Sequence, residues 1–273
     1  MIQTPSSPTV RAPQPAGTAK VLGRASGVTA LISGAAQGMG ASHARVLAAH
    51  GACVMIADLQ EETGRELAAE INAACGRPAA GFVRLDVTSF ESWESAVAAA
   101  VQHFGQLNVL VNNAGIYTPG NALEASVEDW RRTIDIDLTG AFLGMKAAVP
   151  ELRRNKTSSI INVSSIAGLV GFKNRAAYAA AKWGLQGLTK TSALDFGADG
   201  IRVNSIHPGS VETPLTAGLQ RGFGQIPAGR AAQAEEISSL VLYLASDESQ
   251  YVSGAAISID GGETAGNNLR QDA

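Results

Sequence analysis

Short runs of apolar and β-branched residues alternate with longer segments of helical periodicity from residue 27 to near the end of the sequence. This alternation is typical of parallel β-strands joined by crossover helices. Several runs are apolar at successive positions, as expected of strands that helices cover on both faces. The seven predicted strands are residues 28–33, 52–58, 81–87, 107–112, 158–164, 200–206 and 255–260. The pattern predicts an α/β fold with a doubly wound sheet of seven parallel strands and helices on both faces.

The same pattern predicts one domain over residues 27–262, because no Pro-, Gly- or Ser-rich linker interrupts it. Residues 1–26 are rich in Pro, Ser, Thr and Ala, so they offer little apolar surface to offset the entropy lost on ordering. We expect a disordered N-terminal extension there and a short C-terminal tail over residues 263–273. A cytoplasmic location is expected, with organelle targeting as the alternative because no acidic residue precedes Asp58.

Composition and charge exclude several classes of protein. The 273 residues carry 21 basic and 24 acidic side chains, a net charge of −3, which gives no basic surface for nucleic acid. No window of about 18 apolar residues predicts a membrane span. The two cysteines and four histidines show no metal-ligand spacing, so no metal is expected. His43 and His50 are expected on the surface of a helix.

A glycine-rich segment, SGAAQGMG at residues 33–40, joins the first predicted strand to a helix. Glycines at such a turn let the backbone approach a pyrophosphate, and the helix N-terminus directs N–H groups at it. The segment predicts a dinucleotide site, with glycines that merely permit a tight turn as the alternative. The residues assigned to this cradle are Gly34, Gln37, Gly38, Met39 and Gly40.

Asp58 ends the second predicted strand about 20 residues further on, where a doubly wound fold places a carboxylate against the adenosine ribose. A carboxylate there would repel a 2′-phosphate. Neither Leu59 nor Gln37 offers the positive charge that such a phosphate needs. The sequence therefore favours NAD over NADP, with an ordinary turn-initiating acid as the alternative reading of Asp58.

Tyr178 and Lys182 lie four residues apart on a predicted helix, so their side chains share one face. A phenol with an ordinary pKa of about 10 is a poor base at neutral pH, but a neighbouring cation favours its ionised form. Ser165 follows a predicted strand at its carboxyl end, the edge at which open α/β sheets bind ligands. These three side chains predict an acid–base site in which the serine hydroxyl holds the reacting oxygen.

With these motifs in this order, the chain resembles the short-chain dehydrogenase/reductase family, in its single-domain branch, over about residues 27–262. The resemblance rests on residues 33–40, Asp58, Asp86-Val87, Asn112-Asn113-Ala114-Gly115, Ser165, Tyr178 with Lys182, Pro208-Gly209 with Thr213, and Asp260-Gly261-Gly262. It implies a Rossmann-like fold and assembly as a homotetramer. It also implies that Ser165, Tyr178 and Lys182 are catalytic, with Tyr178 and Lys182 contacting the cofactor as well.

The resemblance implies further cofactor contacts. By it, Asp86 and Val87 contact adenine and Asn113 borders the cofactor cleft. Val211 and Thr213 contact the nicotinamide carboxamide. One position departs from the pattern: members of the family usually carry an asparagine of the catalytic tetrad where this chain has Asp137. The carboxylate keeps an acceptor but loses the amide donor. We count Asp137 with the catalytic residues and expect activity to survive, with a helix kink or backbone capping as alternative roles.

The stretch TIDIDLTGAFLGMK also resembles bacterial 3α(20β)-hydroxysteroid dehydrogenases. The sequence therefore predicts an NAD-dependent oxidoreductase that interconverts a secondary alcohol and a ketone, with a bulky hydrophobic cyclic substrate of steroid- or terpenoid-like frame. The alternatives are a 3-oxoacyl-thioester reductase of the same fold and a non-catalytic nucleotide-sensing protein. The apolar side chains that either line a substrate pocket or pack within the protein are Leu169, Val170, Phe172, Leu215, Leu219, Phe223 and Ile226.

Overall fold

The computed structural model describes residues 23–217 and 222–266. Three sequence predictions fall outside these residues: the extension up to residue 22, the tail from residue 267, and the pocket candidate Leu219. The side chain of Leu215 is also outside the description. The rest of the predicted extension packs on the domain, since Ala25 is fully buried and the Arg24 guanidinium pairs with the Glu248 carboxylate at 2.7 Å.

Seven parallel strands form one sheet, which confirms the predicted Rossmann-like doubly wound fold. The strands are β1 (Thr29–Ser33), β2 (Cys53–Asp58), β3 (Ala80–Arg84), β4 (Val109–Asn112), β5 (Ser158–Val163), β6 (Ile201–Pro208) and β7 (Ala256–Ile259). Their order in the sheet is β3-β2-β1-β4-β5-β6-β7, and every neighbouring pair is parallel. The direction of strand order reverses at β1, so a crevice opens between the loops that follow β1 and β4.

Helices cover both faces of the sheet. They are α1 (Gly38–Ala49), α2 (Glu61–Cys75), α3 (Phe90–Phe104), α4 (Val127–Ile134), α5 (Gly140–Leu152), α6 (Ala176–Phe196) and α7 (Ala234–Ala245). Two hydrophobic cores result: Ala30 and Ile32 of β1 pack in the core beneath α1, α2 and α7, whereas Leu31 packs in the core beneath α3 and α5. Burial of successive residues explains why the strands are apolar without alternation.

Two local predictions differ from the structure. The third strand ends at Arg84, three residues earlier than predicted, because it is an edge strand whose pairing with β2 stops at Asp58. His43 is fully buried, so the predicted surface position is wrong. The α7 helix covers that side of α1, and His43 Nδ1 lies 2.8 Å from the hydroxyl of Ser238. Burial lowers the pKa of His43 to about 3.

Among the described residues, no helix combines the length and apolarity needed to cross a membrane. Within the same part of the chain, no cluster of three or more His, Cys, Asp or Glu side chains is arranged to hold a metal ion.

Candidate active site

The loop between β1 and α1 leaves its backbone open to a ligand. The α1 helix begins at Gly38, whose φ of +59° suits glycine, and the preceding Gln37 makes no side-chain capping bond. A Cβ added at Gly40 would lie 2.3 Å from the carbonyl oxygen of Gly34, so only glycine fits. The first-turn N–H groups of α1 are therefore aimed outward at the switch point of the sheet. Met39, in the same turn, is partly buried against the core.

Asn113 holds this loop from the neighbouring strand. Its side-chain Nδ2 donates to the carbonyl oxygens of Ser33 and Gly34, both at 2.9 Å. Its backbone N–H donates to the hydroxyl of Ser33 at 3.1 Å. Asn113 thus ties the end of β4 to the glycine loop at the point where the strand order reverses.

Asp58 lies at the carboxyl end of β2, beside the same loop. Its Oδ2 accepts the Ala36 N–H at 2.9 Å, and its Oδ1 accepts the Gln60 N–H at 3.0 Å. A carboxylate has about four acceptor positions, so two remain for the hydroxyls of a ribose. Leu59 is exposed, and it offers no positive charge beside the carboxylate.

Asp86 and Val87 follow β3 on the far side of the crevice. Asp86 accepts the backbone N–H and hydroxyl of Thr88 at 3.0 and 2.7 Å, and these bonds hold the pKa of its carboxyl below the usual value. The carbonyl oxygen of Val87 accepts the indole N–H of Trp93 at 3.0 Å. Both residues are thereby fixed by α3 and the loop before it.

Val211 and Thr213 follow β6. Val211 is buried, and its carbonyl accepts the Thr216 hydroxyl at 2.6 Å. A Cβ built on Gly38 would lie 3.7 Å from the Cβ of Thr213, so this segment closes over the start of α1. The predicted cofactor residues thus gather along one edge of the sheet.

Ser165 and Tyr178 line one cavity of about 260 Å³. The hydroxyl of Ser165 accepts the Ala167 N–H at 3.1 Å, and its backbone carbonyl lies 2.8 Å from Nδ1 of His207. Because a carbonyl only accepts, this nitrogen of His207 carries the proton, and Nε2 accepts from the Ser205 hydroxyl at 2.9 Å. Burial lowers the pKa of His207, which favours this neutral ring. Sequence reasoning missed His207, since nothing in the spacing joins it to Ser165.

Lys182 lies behind Tyr178 on α6, with Nζ 5.5 Å from the centre of the phenol ring. The buried ammonium contacts Asp137 Oδ2 at 3.1 Å and donates to the Val163 carbonyl at 3.2 Å. Asp137 lies in a π-helical turn, residues 135–139, between α4 and α5, and its Oδ1 accepts the Ile116 N–H at 2.8 Å. The structure thus brings all four predicted catalytic residues to one end of β5, with Asp137 paired directly to the lysine.

The contact between Asp137 and Lys182 affects the pKa of the lysine. Burial by itself lowers the pKa of Lys182, but the nearby Asp137 carboxylate and Tyr178 phenol raise it above its ordinary value. Burial likewise raises the pKa of Asp137, while the Lys182 ammonium and the Ile116 N–H oppose that rise. The Asp137 carboxylate and the Tyr178 phenol thus favour the protonated form of Lys182 against the effect of burial.

Two further side chains, those of Tyr117 and Arg175, line the cavity, and the sequence did not indicate either of them. The ring of Tyr117 meets that of Tyr178 edge-on, with centroids 5.9 Å apart. The guanidinium of Arg175 lies 5.0 Å from the ring centres of both Tyr117 and Phe172. The three-residue spacing between Arg175 and Tyr178, at the start of one helix, is the signal that could have found the arginine.

The predicted apolar lining is only partly present. Phe172 lines the cavity, and Ile226 is buried within the protein instead. Much of the remaining lining is polar: Ser210, Thr216, Gln225 and Glu263 face the same space. Glu263 is itself engaged in a contact within the protein.

The chain is similar to known proteins over most of its length. A family model described as "Enoyl-(Acyl carrier protein) reductase" matches residues 34–264. Trans-4-hydroxycyclohexanecarboxylate dehydrogenase of Sinomonas cyclohexanicum is 68% identical, over 93% of this chain and 99% of that protein. The 3-alpha-(or 20-beta)-hydroxysteroid dehydrogenase of Mycobacterium tuberculosis is 48% identical, over 89% of this chain and 92% of its own length. Cyclopentanol dehydrogenase of Comamonas testosteroni is 40% identical, over 89% and 100%.

Proposed function

The chain belongs to the short-chain dehydrogenase/reductase family, and from this premise we propose that it is an NAD-dependent dehydrogenase of a monocyclic secondary alcohol. The observation that carries the proposal is the cavity shared by Ser165 and Tyr178, with Lys182 directly behind the phenol. The relatives are named as dehydrogenases of ring alcohols of different sizes. The first candidate substrate is 4-hydroxycyclohexanecarboxylate, after the name of the 68% identical relative.

The walls of the cavity combine aromatic and polar side chains, which suits a ring alcohol with a polar substituent. The relatives named above act on cyclohexane, cyclopentane and steroid alcohols, all within the cyclic class that the sequence predicts. We place a single ring first because the 68% identical relative is named for one.

The residues at the carboxyl edge of the sheet fit a dinucleotide. The first-turn N–H groups of α1, which no side chain caps, would bind the pyrophosphate, and Gly40 lets the loop backbone pack close to them. Asp58 has acceptor positions left for ribose hydroxyls. A carboxylate at Asp58 disfavours a 2′-phosphate, so we assign NAD and not NADP. When bound, the nicotinamide ring supplies the carbon that accepts the hydride.

The chain's own residues handle the proton. The hydroxyl of Ser165 orients the substrate oxygen, and the phenol oxygen of Tyr178 takes the hydroxyl proton during oxidation and returns it during reduction. The Lys182 ammonium stabilises the ionised phenol electrostatically, and the carbonyl of Val163 and carboxylate of Asp137 keep that ammonium in place.

A spectrophotometric screen tests the proposal. Monocyclic, steroid and aliphatic alcohols are assayed with NAD and NADP in parallel, and an acetoacetyl thioester with NADH and NADPH covers the reductase alternative. We expect turnover of monocyclic alcohols with NAD. Tyr178→Phe should retain NADH binding and lose turnover at least about a hundredfold. A chain that reduces only the thioester, or a phenylalanine variant of normal activity, would contradict the assignment.

The cofactor preference has its own test. Asp58→Ser with Leu59→Arg removes the negative charge and adds a positive one beside the ribose site, so the ratio of kcat/KM for NADP to that for NAD should rise by at least about tenfold. The matched control is Asp86→Ser with wild-type Asp58, which changes a carboxylate on the adenine side. A double variant as selective for NAD as the parent would rule out Asp58 as the discriminating residue.

We further propose a homotetramer acting in the cytoplasm. Support for assembly comes from the large apolar side chains exposed on α4, α5 and α6, namely Trp130, Phe142, Trp183 and Leu194. Cys53 and Cys75 are both free thiols, as is usual in a reducing compartment.

A further inference from the structure

We propose that Arg175 binds a carboxylate on the substrate, so that the natural substrate is a cyclic hydroxy acid held between this guanidinium and the Ser165–Tyr178 pair. The inference rests on the proposed function and deepens it: it names the residue that selects among ring alcohols and the charge that it selects.

The backbone places Arg175 firmly beside the reacting groups. It precedes the first residue of α6, and its carbonyl accepts the Ala179 N–H at 2.8 Å. A bridge to Gly120 holds it from the other side, where the Ala176 N–H donates to the Gly120 carbonyl at 3.0 Å. Tyr178 follows one turn later on the same side of the helix.

The side chain of Arg175 extends along the wall of the cavity. Its guanidinium lies 5.0 Å from the ring centres of both Tyr117 and Phe172, and all three side chains line the cavity with Tyr178. Contact with two aromatic faces restricts the guanidinium but satisfies none of its N–H donors. Tyr117 in turn contacts the ring of Tyr178 edge-on, so the guanidinium and the phenol border the same cavity through one intervening ring.

Charge favours an anion at this point. The seven ion pairs between described residues do not include Arg175. Among the described residues that line the cavity, it carries the one positive charge. A guanidinium presents a planar fork of donors that matches a carboxylate in two parallel bonds.

The experiment compares trans-4-hydroxycyclohexanecarboxylate with its carboxamide, which keeps the shape and loses the charge. Both are assayed with NAD in the wild-type chain and in Arg175→Met, Arg175→Gln and Arg175→Lys. Lys173→Met is the matched control, because it removes an exposed positive charge two residues away. NADH binding is measured for every variant, so that damage to the cofactor site is recognised separately.

We expect the wild-type chain to prefer the acid over the amide in kcat/KM by roughly tenfold to a hundredfold, the range for hydrogen bonds to a charged group. Arg175→Met and Arg175→Gln should abolish the preference, Arg175→Lys should keep part of it, and Lys173→Met should keep all of it. If the methionine variant does not fold, the glutamine variant and the wild-type comparison still decide the matter.

Two results would overturn the inference while the proposed function stands: equal use of acid and amide by the wild-type chain, or a preference that survives in Arg175→Gln. Loss of activity on acid and amide to the same extent would likewise overturn it, because Arg175 would then act by supporting Tyr117 and Tyr178. A chain that oxidises neither these compounds nor any other ring alcohol would instead refute the proposed function.

Discussion

The carboxylate of Asp137 stands where related enzymes are expected to carry an amide, and its neighbours explain how the site accommodates it. One oxygen takes the Ile116 N–H, which an amide oxygen could equally accept. The other lies 3.1 Å from Lys182, where a carboxylate balances a buried positive charge and an amide could not. The carboxylate therefore couples the charge of Lys182, which we propose is catalytic, to a second titrating group.

Asp137→Asn should move the alkaline end of the pH–activity profile to lower pH. The carboxylate raises the pKa of Lys182, so the lysine keeps its proton until the pH rises through that raised value. Without it, only the Tyr178 phenol opposes the effect of burial, so that pKa falls and the proton is lost at a pH lower by roughly 1–3 units. The measurement is kcat against pH in the direction of alcohol oxidation.

Asp135→Asn is the control for this prediction, because it makes the same change at an exposed position of the same π-helical turn. Its profile should match that of the wild-type chain. If the Asp137 variant also keeps the wild-type alkaline limit, the lysine proton does not depend on the carboxylate.

At the scale of an element, the start of α1 depends on close backbone packing and not on side-chain chemistry. The glycine loop folds back on the first turn of the helix, and Asn113 supports it from β4. A single methyl group at Gly40 would meet the Gly34 carbonyl oxygen, Asn113 Nδ2 and Ala35 Cα at 2.3, 2.6 and 2.8 Å. Two of these three neighbours are backbone atoms, so relief requires the loop itself to move.

Gly40→Ala should therefore weaken NADH binding by at least about tenfold, because the displaced loop no longer directs its N–H groups at the pyrophosphate. Fluorescence titration of NADH measures the effect. Gly197→Ala adds the same methyl group at an exposed helical position with no atom within 4 Å, and it should bind NADH normally. Equal affinities for the two variants would show that the loop does not contact the cofactor.

At the scale of the molecule, several large apolar side chains are exposed on the helices. Trp183 and Leu194 of α6 are 48% and 85% exposed, and their spacing of three turns puts them on the same face. Trp130 and Phe142 are exposed on α4 and α5, of which α4 packs beside α6. Large apolar side chains exposed in this way are typical of a surface that another subunit covers.

Leu194→Glu should dissociate the proposed tetramer, since it places a charge in the middle of an apolar contact. Light scattering after size-exclusion chromatography measures the mass of the particle. Leu123→Glu makes the same change in a loop, at a residue that is 93% exposed, and should leave the mass unchanged. A monomeric wild-type chain, or a Leu194 variant of undiminished mass, would contradict the assembly.

Much of this protein could be predicted from the sequence, because the features concerned are local. Strand and helix periods, the glycines of a tight turn and the four-residue spacing of Tyr178 and Lys182 each depend on neighbours in the chain. They predicted the parallel sheet, the family and the residues at the sheet edge. The prediction that His43 lies on the surface was wrong because its burial is not local: it depends on α7, almost 200 residues later in the chain.

Only the tertiary structure decided which groups meet. The ion pair of Asp137 with Lys182, the bond from His207 to the Ser165 carbonyl and the two rings around Arg175 each join residues from different elements. The shape of the cavity is likewise a property of packing, because it depends on how the segments after four strands come together. Sequence periodicity therefore determined the scaffold, and the motifs with their resemblance to a known family indicated the reaction class, while packing in three dimensions set the electrostatics of the site.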